Sequence, residues 1–320
     1  MPANLPPKYH SAEKRYREAK DPDEKLDALE EMMAIMPKHK GTDHLRAELR
    51  TRMAKLTTEA QKKGGKRSSI YNVRKEGAGQ VAMVGLTNSG KSSLVAIMTH
   101  ASPDIGDWAY TTKMLLPGMM KYENINIQLL DLPAVEDHSA HTWMPGALRR
   151  ADYLMIVVDL SRDPLVQMRD IENELEKLRT GISTMHSDWG VKPAIIVGSK
   201  NDHPKAKSNY DSLKKKYVDQ FEIISTSTED MSGLEDLRQL VFNSLNIIRV
   251  YTKAPRQKTA LNKPVVLKKG STVQDAAKGI HKDFARDLKY TFIWGSGKYD
   301  NQRVGKDHVL ADGDIVEFHI

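Results

Sequence analysis

The chain has 320 residues, 39% of them apolar and 28% charged, with 49 Lys/Arg against 42 Asp/Glu and no cysteine. A mean hydropathy of −0.54 and the lack of any apolar run of about 18 residues exclude a helical membrane span, and zero Cys excludes disulfides, thiolate metal sites and cysteine nucleophiles. One large domain or, in better accord with this length, two to three smaller ones are expected, and with no basic start followed by an apolar run after Met1 the cytoplasm is the expected compartment.

Charge is unevenly spread. Residues 1–79 hold 18 Lys/Arg against 12 Asp/Glu, residues 80–245 hold 17 against 22, and residues 246–320 hold 14 against 8, giving +6, −5 and +6. Basic ends around an acidic middle suit an internal catalytic or switch module flanked by arms that touch a polyanion such as RNA, because each phosphate contact releases counterions.

The predicted elements begin with helices. Asp21-Pro22 supplies a cap and a proline at the first helical position, and Leu26, Leu29, Met33 and Met36 follow at helical spacing until Pro37 stops the run. After Gly41, Thr42 caps a second helix striped with Leu45, Leu49, Met53 and Leu56, so residues 1–62 read as a helical hairpin arm. Lys62-Lys63-Gly64-Gly65-Lys66-Arg67-Ser68-Ser69 breaks the period and opens a basic linker over 63–79.

From Val81 strands alternate with helices. Apolar runs at Val81–Val84, Ile125–Leu130, Tyr153–Val158, Ala194–Val197 and Glu222–Ile224 predict an α/β domain over 80–245, a mostly parallel sheet with helices on both faces. Its ligand should lie at the carboxyl ends of the strands. Beyond Asn246, short strands at Val265–Leu267, Tyr290–Trp294 and Ile315–Phe318 surround a helix near Val273–Ile280, a small α+β domain over 246–320.

The segment Gly85-Leu86-Thr87-Asn88-Ser89-Gly90-Lys91-Ser92 fits G-x-x-x-x-G-K-[ST] between a strand and a helix that starts near Ser93-Leu94. Backbone N–H groups from Gly85 to Ser93 can then cradle phosphates, Lys91 reaches the β- and γ-phosphates, and the Ser92 hydroxyl ligates Mg²⁺. Asp131, ending the next strand in Leu129-Leu130-Asp131-Leu132-Pro133, stands where a nucleotide-bound Mg²⁺ needs an acid. Gly198-Ser199-Lys200-Asn201-Asp202 resembles the Asn-Lys-x-Asp box of GTPases: Asp202 accepts from guanine N1 and N2, a donor pair that adenine lacks, and the Lys200 stem covers the ring. Ser199 replaces the usual Asn, which removes an amide tie to the phosphate loop and predicts weaker nucleotide affinity. Ser227-Thr228, followed by Gly233-Leu234, resembles the loop that supplies backbone contacts to guanine O6. The middle domain is expected to be a P-loop GTPase that binds GTP and GDP.

The C-terminal segments Ile247–Lys253, Pro264–Gly270, Ile280–Phe284, Trp294-Gly295 and Gln302–Leu310 closely resemble the TGS domain of the developmentally regulated GTP-binding proteins, a branch of the Obg-related GTPases. Tyr110-Thr111-Thr112 with Pro117-Gly118 resembles that family's first switch. The resemblance covers about residues 80–320. It implies a ubiquitin-like β-grasp fold for the C-terminal domain, association with the ribosome or structured RNA, and a Thr112 that closes over Mg²⁺ in the GTP state. Lys268, Lys269, Lys282 and Lys306 are candidate RNA contacts or a solvated face. No membrane association is expected, and a regulatory protein partner is compatible with these residues.

Two departures bear on mechanism. Where many GTPases carry a water-orienting glutamine after Asp-x-x-Gly, this chain has Ala134 and Val135. That resembles the hydrophobic-substituted GTPases, in which the residue at the place of Asn88 helps hold a K⁺ ion that does the electrostatic work of an arginine finger. Ala134 also replaces a glycine that lets the backbone N–H swing toward the γ-phosphate. Glu136, Asp137, His138 and His141 follow; one of them could orient water, and the two histidines read best as ordinary surface residues. The leading expectation is a slow GTPase acting as a ribosome- or RNA-associated switch. The alternatives are an RNA-binding factor with a structural nucleotide and, more weakly, an ATPase.

Overall fold

The computed structural model of the chain describes residues 6–19, 22–36, 42–63, 73–99, 115–141, 143–183, 191–253, 264–280, 282–297 and 299–319. The arm contains α1 (Pro7–Glu18), α2 (Pro22–Ile35) and α3 (Asp43–Lys63). The helical hairpin is therefore corrected to a three-helix unit: two helices bury too little alone, and α1 adds Tyr9 and Ala12 to a small core of Leu29, Met32, Met36 and Leu49, flanked by Leu45, Met53 and Leu56. Sequence periodicity passed over α1 because its apolar stripe consists of Tyr9, Ala12 and Tyr16. Asp21, Pro37, Gly41, the Leu26 side chain and the linker stretch 64–72 lie outside the described residues.

The second unit comprises β1 (Gln80–Val84), α4 (Lys91–Thr99), β2 (Leu116–Tyr122), β3 (Ile125–Asp131), α5 (Met144–Arg150), β4 (Tyr153–Asp159), α6 (Pro164–Lys177), β5 (Gly181–Ser183), β6 (Val191–Ser199), α7 (Ala206–Tyr217), β7 (Glu222–Ser225) and α8 (Leu234–Ser244). The sheet runs β2-β3-β1-β4-β6-β5, with β7 also paired to β6. Only β2 is antiparallel, on β3; the other ladders are parallel. Alternation decides which face each side chain buries. Ala82, Val84, Leu154, Ile156, Val158, Ala194 and Ile196 meet α5, α6 and α7 on one face; Val81, Met83, Tyr153, Met155, Val157, Ile195 and Val197 meet α4 and α8 on the other. Every β1 and β4 residue is buried, as a sheet covered on both sides requires. The carboxyl ends of β1, β3, β4, β6 and β7 thus open at one edge.

The C-terminal unit has β8 (Ile247–Thr252), β9 (Val265–Lys268), α9 (Val273–Ile280), α10 (Lys282–Asp287), β10 (Tyr290–Trp294), β11 (Gln302–Val304) and β12 (Ile315–His319). Its order β11-β10-β12-β8-β9, with β12 parallel to β8 and the other ladders antiparallel, is that of a β-grasp. Ala276 and Ala277 of α9 pack with Val250, Ile293 and Val316 of the sheet.

One buried guanidinium fastens this unit to the sheet of the second unit. Arg249 on β8 donates through Nη2 to Asp312 Oδ2 at 2.7 Å and through Nε to Oδ1 at 3.1 Å, and its Nη1 pairs with Glu123 in the β2–β3 turn. The ring of Phe242 on α8 lies 4.8 Å below it, while Asn124 in the same turn donates to the Tyr251 hydroxyl. Burial works against the Asp312 carboxylate, but the Arg249 hydrogen bonds hold its pKa below the usual carboxylate range. The stabilisation from this pair is therefore complete above the ordinary pKa of about 3.9 and is lost as pH falls through the lower folded value. Arg249→Met should cost about 2–4 kcal/mol by denaturant midpoint, because it strands a partly buried carboxylate. Glu123→Gln, at the exposed end of the network, should cost less than about 1 kcal/mol.

Candidate functional site

The phosphate loop is shaped by two glycines. A Cβ on Gly85 would meet the Val157 carbonyl oxygen at 2.5 Å and Ser89 Oγ at 2.7 Å, and Gly90 holds φ at +90°, where a side chain is strained. Asn88 adopts the left-handed region as well, at φ 62°, which asparagine tolerates better than most residues. Asn88 is exposed and Ser89 buried. The loop leads into α4, whose first helical residue is Lys91.

Lys91 is buried, and its ammonium is folded back onto the loop, donating to the carbonyls of Leu86 at 2.8 Å and Gly85 at 3.0 Å. Burial lowers its pKa, and the charges of Asp131 and Glu136 oppose the shift. Asp131 ends β3 beside Ser92. Burial raises its carboxyl pKa, against the Ser92 hydrogen bond and the Lys91 charge. Asp131 Oδ1 is buried with no hydrogen-bond partner among the described residues. A buried carboxylate oxygen without a hydrogen-bond donor, next to an exposed serine hydroxyl, is an oxygen donor set that suits a hard divalent cation. Mg²⁺ therefore fits Ser92 and Asp131. Thr111 and Thr112 lie outside the described residues.

The stretch after Asp131 is docked on the phosphate loop. Val135 N–H donates to the Gly85 carbonyl at 3.2 Å, and Thr87 N–H donates to Glu136 Oε1 at 3.0 Å. The Val135 side chain is wholly buried in the core below, so it is turned away from the loop. Neither contact was legible in the sequence, because both depend on how the turn after β3 folds back.

The two loops expected to read the base meet at the ends of β6 and β7. Ser199 corrects an expectation: its hydroxyl lies 2.7 Å from the Ser89 carbonyl and 3.1 Å from that of Val158. A serine at the end of β6 therefore ties this loop to the phosphate loop at close range, and the tie expected to be lost is kept by a shorter side chain. Lys200 has φ 58°; it donates to the Asn88 carbonyl at 3.2 Å and to Asp159 Oδ2 at 2.6 Å. Asp159, ending β4, is 2% exposed and was missed in the sequence, although it occupies the same strand-end position as Asp131. Burial opposes its charge, but hydrogen bonds from Lys200 and Ser161 hold its pKa below the usual range. The exposed Asp202 accepts from Ser227 Oγ at 2.5 Å, and that buried hydroxyl in turn accepts from Glu229 N–H at 3.0 Å. Thr228 follows, half-buried. Ser227 thus sets the direction in which Asp202 faces.

If the Ser199 tie matters to binding, Ser199→Ala should weaken GDP by about 3- to 10-fold, the loss expected from one hydrogen bond. Fluorescent-nucleotide titration checks this; an unchanged affinity would mean that Lys200 alone holds the loops together.

Residues 80–198 match the family described as 50S ribosome-binding GTPase, and residues 248–320 match the TGS domain. The chain is 26% identical over 362 positions to a GTP-binding protein of Methanocaldococcus jannaschii, covering 92% of each chain. It is 27% identical over 360 positions to developmentally-regulated G-protein 3 of Arabidopsis thaliana, covering 92% of this chain and 97% of that one. With human developmentally-regulated GTP-binding protein 2 the identity is 24% over 357 positions, covering 92% and 98%. These alignments are longer than the chain's own 320 residues, so the relatives carry segments that this chain lacks. Among solved structures, the YchF GTPase of Schizosaccharomyces pombe superposes with a TM-score of 0.53 at 15% identity, covering 77% of this chain and 99% of that one, a likeness of fold. No helix among the described residues is long and apolar enough to cross a membrane.

Proposed function

We propose, from the premise that this chain is a GTP-binding protein of the developmentally regulated GTP-binding protein family, that it hydrolyses GTP slowly and works as a GTP-gated factor on the ribosome or other structured RNA in the cytoplasm. The observation that carries this reading is the joining of the two nucleotide loops, Ser199 and Lys200 to the phosphate loop and Ser227 to Asp202. A base and a triphosphate held by one connected frame can report the γ-phosphate to the rest of the protein.

In this reading Asp202 selects guanine, Lys200 covers the ring, and Ser227 and Thr228 line the far edge of the base. Lys91 leaves the Gly85 and Leu86 carbonyls for the β- and γ-phosphates, a cheap exchange because those carbonyls solvate it only partly. Ser92, Asp131 and Thr112 would hold Mg²⁺, which would supply positive charge to the phosphates when bound. Gly85, Asn88, Ser89, Gly90 and Ser93 provide the remaining cradle. Water attacks the γ-phosphate without help from the side chain of Val135, which faces the core, and this keeps turnover slow. Asn88 would compensate by helping to hold K⁺, whose charge would take the place of an arginine finger's. Phosphate release in KCl should then exceed that in NaCl by at least about tenfold; equal rates would remove Asn88 from that role.

The basic ends supply the RNA contact. Lys268 and Lys269 are exposed at the end of β9 and Lys306 is half-buried, while the Lys282 side chain lies outside the described residues. Sedimentation with ribosomal subunits at moderate salt, comparing GDP with a non-hydrolysable GTP analogue, tests the whole reading. Pelleting only with the analogue is expected. Equal pelleting in both states would favour an RNA-binding factor with a structural nucleotide, the reading that the buried Val135 most encourages, and no pelleting would overturn the ribosomal partner.

A further inference from the structure

His138, His141 and Glu174 bring three ligand atoms within 4.8 Å of one another. The two histidines flank a short 3₁₀ turn, His138–Ala140, in the segment that follows Val135, and Glu174 projects from α6, 33 residues further along the chain. The turn is closed by Asp137, whose Oδ1 accepts from Ser139 N–H at 3.0 Å, so the two rings are presented side by side. Their Nδ1 atoms are 3.4 Å apart. Two nitrogens on one tetrahedral Zn²⁺, each at about 2.0–2.1 Å, stand about 3.3–3.4 Å apart.

The proton on His141 is located by its neighbour. His141 Nε2 is 2.7 Å from the Val135 carbonyl oxygen, and a carbonyl accepts only from N–H, so the neutral ring carries its hydrogen on Nε2 and turns a bare lone pair at Nδ1 toward His138. A backbone carbonyl that fixes the tautomer of a ligating histidine is the usual outer support of a metal site. Glu174 completes the set. Its Oε1 is paired with Lys177 at 2.6 Å, whereas its Oε2 is buried with no hydrogen-bond partner among the described residues. Glu174 thus has one buried oxygen unanswered and brings a carboxylate oxygen within 4.8 Å of both imidazoles, an arrangement that a shared cation would satisfy.

We propose that His138, His141 and Glu174 form a binding site for a divalent transition ion of nitrogen and oxygen preference, Zn²⁺ foremost, on the side of the post-Asp131 segment remote from the nucleotide. Two imidazoles and one carboxylate leave the fourth tetrahedral position to water. The site is wired to the phosphate loop through a single residue: the ion holds His141, His141 holds the Val135 carbonyl, and Val135 N–H holds the Gly85 carbonyl. It also faces the arm, since His141 and Lys177 line a cleft of about 430 Å³ that Arg15, Glu18 and Glu31 line from α1 and α2. An occupied site would therefore hold the segment after Asp131 against the phosphate loop.

The test uses the full chain, stripped of transition metal and saturated with Mg²⁺ and GDP so that Ser92 and Asp131 are already engaged. Titration with Zn²⁺ should give one saturable equivalent, and Co²⁺ in its place should give a visible ligand-field band of four-coordinate intensity. His138→Ala, His141→Ala and Glu174→Gln should each weaken Zn²⁺ by at least roughly 100-fold, because loss of a ligand costs no less than the roughly 10- to 100-fold that follows from removing a ligand's outer support. His138 is exposed, so its replacement leaves the fold intact, which GDP binding and circular dichroism confirm. His138→Cys, which offers another zinc ligand, should recover the affinity. Absence of a saturable equivalent in the unaltered chain would overturn the site, as would a His138→Ala chain that binds Zn²⁺ as tightly as its parent.

Discussion

Asp202→Asn should lower GTP and GDP affinity by roughly 10²- to 10⁴-fold and transfer preference to xanthine nucleotides. The guanine edge offers two N–H donors to one carboxylate, and each charge-assisted bond is worth about 1.5–3 kcal/mol, which sums to that range. An amide in place of the carboxylate presents an N–H₂ to the guanine amino group, donor against donor. Xanthine carries a carbonyl at that position and restores a donor–acceptor pair, so its nucleotides should gain what guanine loses. The Ser227 hydroxyl, 2.5 Å from Asp202 Oδ1, still finds an oxygen on Asn and keeps the side chain in place. Competition of GDP, XDP and ADP against a labelled nucleotide checks this. Loss of all nucleotides alike would mean that the loop had collapsed, and an unchanged preference for GDP would show that Asp202 does not read the base.

Lys91→Met should reduce GTP turnover by roughly 10²- to 10³-fold, the range for removing one preorganised donor aimed at developing negative charge, and should weaken GTP as well. It should shift stability of the nucleotide-free protein by no more than about 1 kcal/mol. Stability changes little because two effects offset one another, the lysine being costly where it sits: burial lowers its pKa, so methionine relieves the desolvation of an ammonium while it takes a donor from the Leu86 and Gly85 carbonyls and a positive charge from beside Asp131. Thermal denaturation without nucleotide, beside a GDP titration of the same preparation, measures stability and nucleotide affinity together. A variant that unfolds without losing GDP affinity would assign Lys91 a structural role and leave the phosphate chemistry elsewhere.

The sequence alone determined the sheet that positions the site. Runs such as Tyr153–Val158 are apolar at every position, and only a strand buried on both faces can use all of them, so the layered order followed from composition and period. Lys91, Asp131 and Asp202 were legible for the same reason, since each sits at a fixed offset from a strand end and strand ends converge by topology. The antiparallel β2 at the sheet edge was not legible, because an edge strand with one half-exposed face carries a weak pattern broken by Pro117 and Gly118.

What only the tertiary structure decided concerns contacts between loops. The replacement of asparagine by Ser199 read as a lost tie, yet its hydroxyl reaches Ser89, 110 positions away; whether a short side chain spans a gap depends on how closely two backbones approach, and no local pattern encodes that distance. The same holds for Asp159 beneath Lys200, for Thr87 on Glu136, and for Arg249, whose partners Glu123 and Asp312 lie 126 and 63 positions from it. His138 and His141 read as ordinary surface residues because their neighbour Glu174 belongs to another helix. Periodicity reports which face of an element is buried, whereas polar partners are chosen by packing across elements, and that choice is made only when the chain has closed on itself.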